Sequence, residues 1–311
     1  MSKHNSVGFS GPLAETYNAR TGGCNVRLAN AMLSRTLPHF PTPSTLQKAG
    51  GSTLRILDSA SGPLVLTTQL LLDHSFLPTY SSPPNSSSIE IIAGEISADF
   101  VKANQASLGT APLYTGLPSN VKVTADSLDG QDLSRFPANH FDASFTSLAL
   151  FAYPDPAKGA RELYRTLKPG GVTSASSWKF LGWHDIFHAV ERELGRDGPE
   201  TRFEMVEAWL PAGKLKTLFE EAGFAGEDVT EEAVPVEAWW GSVEEAAKCI
   251  AQSTAFMVAG KDWTKEQISG LEAGYLKVMK ERGKQLGLLV EEGTGKAGVR
   301  AECWIATAVK K

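Results

Sequence analysis

The sequence of 311 residues has little cysteine: Cys24, Cys249 and Cys303 stand far apart and odd in number. That spacing offers neither a disulfide framework nor paired zinc ligands, and it points to a reducing, cytoplasmic compartment. No apolar run reaches the roughly 18–20 residues that a membrane span needs. The opening stretch "MSKHNSVGFSGPLAETYNAR" lacks the apolar centre of a signal peptide, so none is expected. There is no basic excess either. Lys and Arg number 30 against 35 Asp and Glu, which argues against a surface built to coat nucleic acid. Internal repeats are absent.

What is present is an alternation of strand and helix patterns. Leu54–Asp58 reads as a short strand, 62–73 as a helix, "IEIIAGEIS" as a buried strand and "ADFVKANQAS" as the helix after it. "VKVTAD", "FDASFTSLAL" and "VTSASSW" are further strands, with a helix over "PAKGARELYRTL" and a turn at "KPGG". Such alternation predicts a parallel sheet with helices on both faces. The stretch "DHSFLPTYSSPPNSSS" reads as a polar, proline-broken loop, and residues before the "NVRLANAMLSRTL" helix as an irregular start. Past residue 180 helical segments dominate, with a strand-like "EDVTEEAV" among them and a last strand over "RAECWIATAVK".

The stretch "LRILDSASGPL" raises a chemical question, because an apolar strand runs into Asp58 and only small residues follow. A plain turn is one reading. The other is a backbone that approaches a ligand closely, beside a waiting carboxylate. Strand 2 likewise ends at Glu95, and strand 3 leads to Asp129. In open parallel sheets ligands bind beyond the carboxyl ends of the strands, where the winding switches direction. The three acids would therefore converge on one crevice. A nicotinamide-dependent oxidoreductase is the competing reading for such a sheet. The acid before the turn and the missing G-x-G-x-x-G glycines disfavour it.

The ordered run "ILDSASGPL", "GEIS", "LDGQDL", "FPANHFDASFTSLAL" and "ELYRTLKPGG" resembles a class I S-adenosylmethionine-dependent methyltransferase. The likeness is to the small-molecule branch related to ubiquinone-biosynthesis and fungal secondary-metabolite enzymes, over about residues 17–182 and the chain's end. The resemblance implies an α/β fold: a doubly wound Rossmann-like sheet of seven strands, mostly parallel with a C-terminal antiparallel strand. It implies one domain over 1–311, comprising a lid and helix in 1–50, a cofactor-binding core in 51–182, a helical substrate-covering region with a core strand in 183–297 and the last strand in 298–311.

The same resemblance assigns S-adenosylmethionine as cofactor and gives residues roles. Asp58 would sit beneath the methionine part near its amino group, Glu95 would accept from the ribose hydroxyls, and Asp129 from the adenine amino group. Gly130 would give backbone access and Ile96 would pack on the adenine. Ala60, Ser61 and Gly62 would form the turn over which the cofactor lies, and Ser147 would touch its methionine end. Tyr17, Gly22 and Gly23 would form an N-terminal lid; the alternative there is a simple helix start with Asn25 as N-cap. Ala60 and Leu64 replace glycines common in the family. Ala60 is tolerable if its backbone keeps a negative φ, whereas Leu64 removes a glycine that lets the helix start near the ligand.

The remaining candidates concern the acceptor. His184 and His188 stand four apart, a spacing that permits metal ligation, but no third ligand is evident and no metal is expected. His184, just after strand 5, is a candidate general base, against the blander reading of a packed or surface histidine. Trp178, Trp183, Trp239 and Phe151 are candidates for an aromatic wall around the acceptor; core packing is the alternative for each. The expected activity is methyl transfer to a small, largely apolar metabolite, with sulfur ahead of oxygen or nitrogen as acceptor atom. A cofactor-binding protein that does not methylate is the alternative. No nucleic-acid or membrane partner is expected, and the oligomeric state stays open.

Overall fold

The computed structural model describes residues 12–48, 53–81, 87–196 and 201–311. Residues 1–11 of the expected irregular start and part of the polar loop before strand 2 lie outside the described residues; the rest of that start is not irregular but holds a helix, Pro12–Arg20.

Seven strands form the main sheet: β1 (Thr53–Ser59), β2 (Ser88–Glu95), β3 (Val121–Ser127), β4 (Phe141–Thr146), β5 (Leu167–Leu181), β6 (Val229–Pro235) and, at the end of the chain, β10 (Ala301–Val309). Their order is β3-β2-β1-β4-β5-β10-β6. The chain winds outward from β1 through β2 to β3, then crosses to β4 on the other side of β1. That reversal places a crevice at the carboxyl ends of β1 and β4. β10 slots between β5 and β6, antiparallel to both.

The central strands have apolar side chains on both faces, as helix-covered parallel strands require. Leu54, Ile56 and Leu57 on β1, and Ile89, Ile91 and Ile92 on β2, are buried, and all of β4 is buried. The Cys24–Thr36 and Val65–Leu72 helices pack together over one face, while Pro156–Thr166 and Lys214–Ala222 cover the other.

Two further elements differ from the sequence expectation. The loop before strand 2 contains a helix, Phe76–Ser81, which buries Phe76 and Tyr80; the Tyr80 hydroxyl donates to the Pro41 carbonyl at 3.0 Å. Its proline and serine content hid two aromatic anchors four residues apart. The region between β6 and β10 is not only helical. It holds a second, three-stranded antiparallel sheet of β7 (Ala238–Trp240), β8 (Leu288–Val290) and β9 (Ala297–Val299), beside the helices Val243–Met257 and Lys265–Arg282. Three-residue strands are too short to show a period of two in sequence.

The N-terminal helix, Pro12–Arg20, ends in Gly22 and Gly23, both with positive φ, before the Cys24–Thr36 helix begins. Gly23, not Asn25, is the N-cap, without a side-chain cap. A Cβ on Gly22 would come within 2.7 Å of the Trp239 backbone nitrogen, so the turn tolerates no side chain there. Trp239 N–H donates to the Gly22 carbonyl at 2.9 Å, and Trp240 Nε1 donates to the Ala19 carbonyl at 2.9 Å. These bonds fasten the N-terminal helix to the small sheet.

Candidate functional site

At the switch point lies a cavity of about 300 Å³, at the lower end of the volumes typical of ligand sites. Its walls include Tyr17, Asp58, Ala60, Ser61, Gly62, Glu95, Ile96, Asp129, Gly130 and Ser147. The strand-tip acids and the residues around them thus meet in one space, although they come from separate parts of the chain.

Asp58, at the end of β1, is 1% exposed. Its Oδ2 accepts from Thr67 Oγ1 at 2.7 Å and Thr67 N at 3.2 Å. Burial pushes its carboxyl up to about 6, with the Thr67 bonds working in the opposite direction. Glu95, at the end of β2, spans two loops: Oε2 accepts from Gly62 N at 2.9 Å and Oε1 from Ser97 N at 2.9 Å. Asn104, on the Ala98–Thr110 helix, donates to the Gly62 carbonyl at 2.8 Å. The turn after β1 is therefore held by side chains reaching from the β2 side.

That turn departs from expectation. Ala60 has φ +57°, Gly62 +50° and Leu64 +61°, so left-handed residues alternate along it. Ala60 does not keep a negative φ. The alternation is what a loop with three glycines adopts without penalty, and here two L-residues adopt it at a cost of roughly 1–2 kcal/mol each. Leu64 stays because its side chain is 2% exposed and packs in the interior.

Asp129 follows β3. Its Oδ1 accepts from Gln131 N at 2.9 Å and Gln131 Nε2 at 3.2 Å. Gly130 is buried against Tyr153, and a Cβ there would stand 2.0 Å from the Tyr153 hydroxyl oxygen. Glu162 and Arg165 brace the continuation of this loop, Glu162 Oε2 accepting from Leu133 N and Arg165 donating to the Leu133 and Phe136 carbonyls. Ile96, 48% exposed, stands at the mouth. Tyr17 packs edge-on against Phe100 at 6.0 Å, and burial pushes its hydroxyl up to about 12.

The remaining candidates lie elsewhere. Gly22 and Gly23 pack toward β7 and Arg27 and do not line the cavity. Trp178 and Trp183 pack against the main core, and Trp239 lies over Gly298 with its Nε1 donating to Glu237 at 3.0 Å. Phe151 is half-buried and does not line the cavity, although Tyr153, two residues on, does. His184 opens the His184–Glu193 helix, stacked on Phe203 at 5.9 Å and edge-on to Trp183 at 4.6 Å. Burial holds its imidazole below the usual histidine range. Gln131, Asn104 and Phe100 were not foreseen. For Phe100 and Asn104 the signal was available, since a spacing of four puts them on one helical face.

Residues 80–175 match the methyltransferase domain family. A fungal protein, the methyltransferase tpcH of Aspergillus fumigatus, is 26% identical over 246 residues, covering 75% of this chain and 77% of that protein. Both findings support the resemblance to the class I S-adenosylmethionine-dependent methyltransferases. The methyltransferase-domain match supports S-adenosylmethionine as the cofactor. Among solved structures, the [4+2]-cyclase SpnF aligns with 16% identity and a TM-score of 0.49 over 92% of this chain and 80% of its own. A candidate methyltransferase from Bacillus halodurans C-125 aligns with 17% identity and a TM-score of 0.46 over 86% and 97% of the two chains. Among the described residues, no helix of the chain is long and apolar enough to cross a membrane.

Proposed function

We infer that this chain, working as one domain over its length, transfers the methyl group of S-adenosylmethionine to a small, largely apolar metabolite, with sulfur favoured as the acceptor atom. The observation that carries the cofactor assignment is the meeting of Asp58, Glu95 and Asp129 around one cavity. The donor and acceptor chemistry fits the group. Asp129 Oδ2 has no donor among the described residues, which leaves an acceptor for the adenine amino group. Each Glu95 oxygen accepts one backbone N–H and retains capacity for a ribose hydroxyl. Asp58, buried and raised toward neutrality, is completed by a cation such as the ammonium of the methionine part. A Cβ on Gly62 would meet nothing within 4 Å, so the turn leaves open space for a ligand over its backbone.

When bound, the cofactor supplies an electrophilic methyl group on a sulfonium. The chain's own task is then to bind, align and exclude water. Sulfur is favoured because the titratable side chains that line the cavity are Tyr17, Asp58, Glu95, Asp129 and Tyr153. Burial raises both tyrosines, so they stay protonated near neutral pH and do not serve as bases. The three carboxylates are assigned to the cofactor in this reading, which leaves none for the acceptor. A thiol, with an ordinary pKa of about 8.5, supplies its own thiolate and needs no strong base. The fungal relative's name as a methyltransferase supports group transfer as the activity.

The test is single-turnover transfer of labelled methyl from S-adenosylmethionine to matched panels of small aryl and alkyl thiols, phenols and amines. Labelled thioethers at rates well above the phenol and amine products support the proposal. Transfer confined to phenols or amines overturns the sulfur assignment, and no transfer to any class, with intact cofactor binding, favours a cofactor-binding protein that does not methylate.

A further inference from the structure

The loop after β3 and the loop after β4 are joined by one side chain, Gln131. Its Nε2 donates to Asp129 Oδ1 at 3.2 Å, and its Oε1 accepts from Asp155 N at 2.8 Å. Asp155 is itself fixed, because its Oδ1 caps the Pro156–Thr166 helix by accepting from Lys158 N at 2.9 Å. A rigid helix start, a buried amide and the Asp129 carboxylate thus form one connected chain. Gln131 is 7% exposed, so both ends of its amide are satisfied inside the protein and neither is replaced by bulk water. The two loops also touch directly where Gly130 lies under the Tyr153 hydroxyl.

We propose that Gln131 is a positioning residue that sets base specificity in the cofactor site, by holding Asp129 so that Oδ2 alone is offered to an exocyclic amino group of a purine. The physical reason is the softness of the carboxylate torsion. The last torsion of an aspartate is broad and nearly two-fold, so a single backbone donor leaves the group free to swing. Gln131 N provides one donor to Oδ1, and Gln131 Nε2 provides a second from another direction. Two donors on the same oxygen fix which oxygen points into the cavity. A 6-amino purine donates to that oxygen, whereas a 6-oxo purine presents an acceptor there and is repelled.

This proposal rests on the reading of Asp129 as the acceptor for the adenine amino group, and its test keeps the two apart. Calorimetry would compare S-adenosylhomocysteine with its deaminated analogue S-inosylhomocysteine for the wild-type protein, Gln131→Leu, Gln131→Glu and Asp129→Asn. The wild-type protein should prefer the adenosyl form by about tenfold or more. Gln131→Leu should lose most of that preference, through an adenosyl affinity lower by about five- to tenfold with little change for the inosyl form. Gln131→Glu keeps the acceptor for Asp155 N, replaces the donor to Asp129 by a carboxylate oxygen that repels it, and should lose the preference likewise, so it carries the test if Gln131→Leu fails to fold. An equal loss for both ligands would mean that Gln131 merely braces the loops, and no loss for either would mean it does nothing at the site; both overturn the proposal. If Asp129→Asn abolishes the preference while the Gln131 variants keep it, the reading of Asp129 stands and the positioning role falls. If Asp129→Asn keeps the preference, the reading of Asp129 falls and takes this proposal with it.

Discussion

Glu95 accepts the Gly62 N–H through Oε2 at 2.9 Å, so the tip of β2 holds the turn that follows β1. The same carboxylate holds the start of the next helix through Ser97 N. One residue therefore shapes the ligand loop and faces the cavity, and loss of the carboxylate should register in both.

Glu95→Ala should weaken S-adenosylhomocysteine binding by on the order of 1.5–3 kcal/mol, the usual worth of hydrogen bonds to a charged group. It should also speed amide exchange at Gly62 in the unliganded protein. Calorimetry with hydrogen exchange checks both. Unchanged affinity in a folded variant would show that the tip of β2 lies outside the cofactor site.

Asp58 predicts a pH dependence. Its folded pKa of about 6 lies above the unfolded value near 3.9, so the unfolded state carries the charge more readily. The stabilisation is full below the unfolded value and is lost as pH rises through about 6. The loss should be on the order of 2–3 kcal/mol, the worth of about two pKa units. Thermal melts of the unliganded protein should fall between pH 4 and 7 by more than those of Asp58→Asn, in the range given by linkage. Parallel melts for the two proteins would contradict the raised carboxyl.

The left-handed turn separates strain from packing. Ala60→Gly relieves a positive φ without removing a core side chain, and should stabilise by roughly 0.5–1 kcal/mol. Leu64→Gly relieves the same strain but empties an interior site, and should destabilise by at least about 2 kcal/mol net. Denaturant midpoints that move in the same direction for both variants would contradict the strain argument.

The bond from Trp240 Nε1 to the Ala19 carbonyl ties the N-terminal helix to the small sheet. Trp240→Phe keeps most of the ring volume and removes the donor, at a cost of about 1 kcal/mol. Amide exchange over Tyr17–Gly23 should quicken by about five- to tenfold while β1 and β4 keep their protection. Equal protection across the N-terminal helix in both proteins would show that the fastening lies elsewhere.

His184 addresses the acceptor. It lies outside the cavity walls, packed on Phe203 and Trp183. With a thiol acceptor, His184→Ala should retain most of the single-turnover rate. A loss of the 10²–10⁴-fold size typical of a positioned base, in a folded variant, would contradict a base-free transfer.

The acids at the strand tips were legible because each ends a run of strand-forming residues, and the sheet order then brings them together. Ala60 was not legible, because an alanine argues against positive φ and only the surrounding turn imposes it. The tryptophans were ambiguous for a different reason: Trp178 and Trp183 have the composition of a ligand wall and the packing of a core. Gln131 gave no signal, since its partners Asp129 and Asp155 are 2 and 24 residues away and meet only when two loops fold side by side. The small sheet was hidden by the shortness of its strands, and it proved to be where Gly22 and Trp240 secure the N-terminal segment.

The most direct measurement is a calorimetric titration of the purified protein with S-adenosylhomocysteine and, separately, with NAD. Binding of S-adenosylhomocysteine at one site per chain, with no heat from NAD, is the result predicted by three carboxylates around one cavity. Saturable NAD binding, with none of S-adenosylhomocysteine or S-adenosylmethionine, would contradict it.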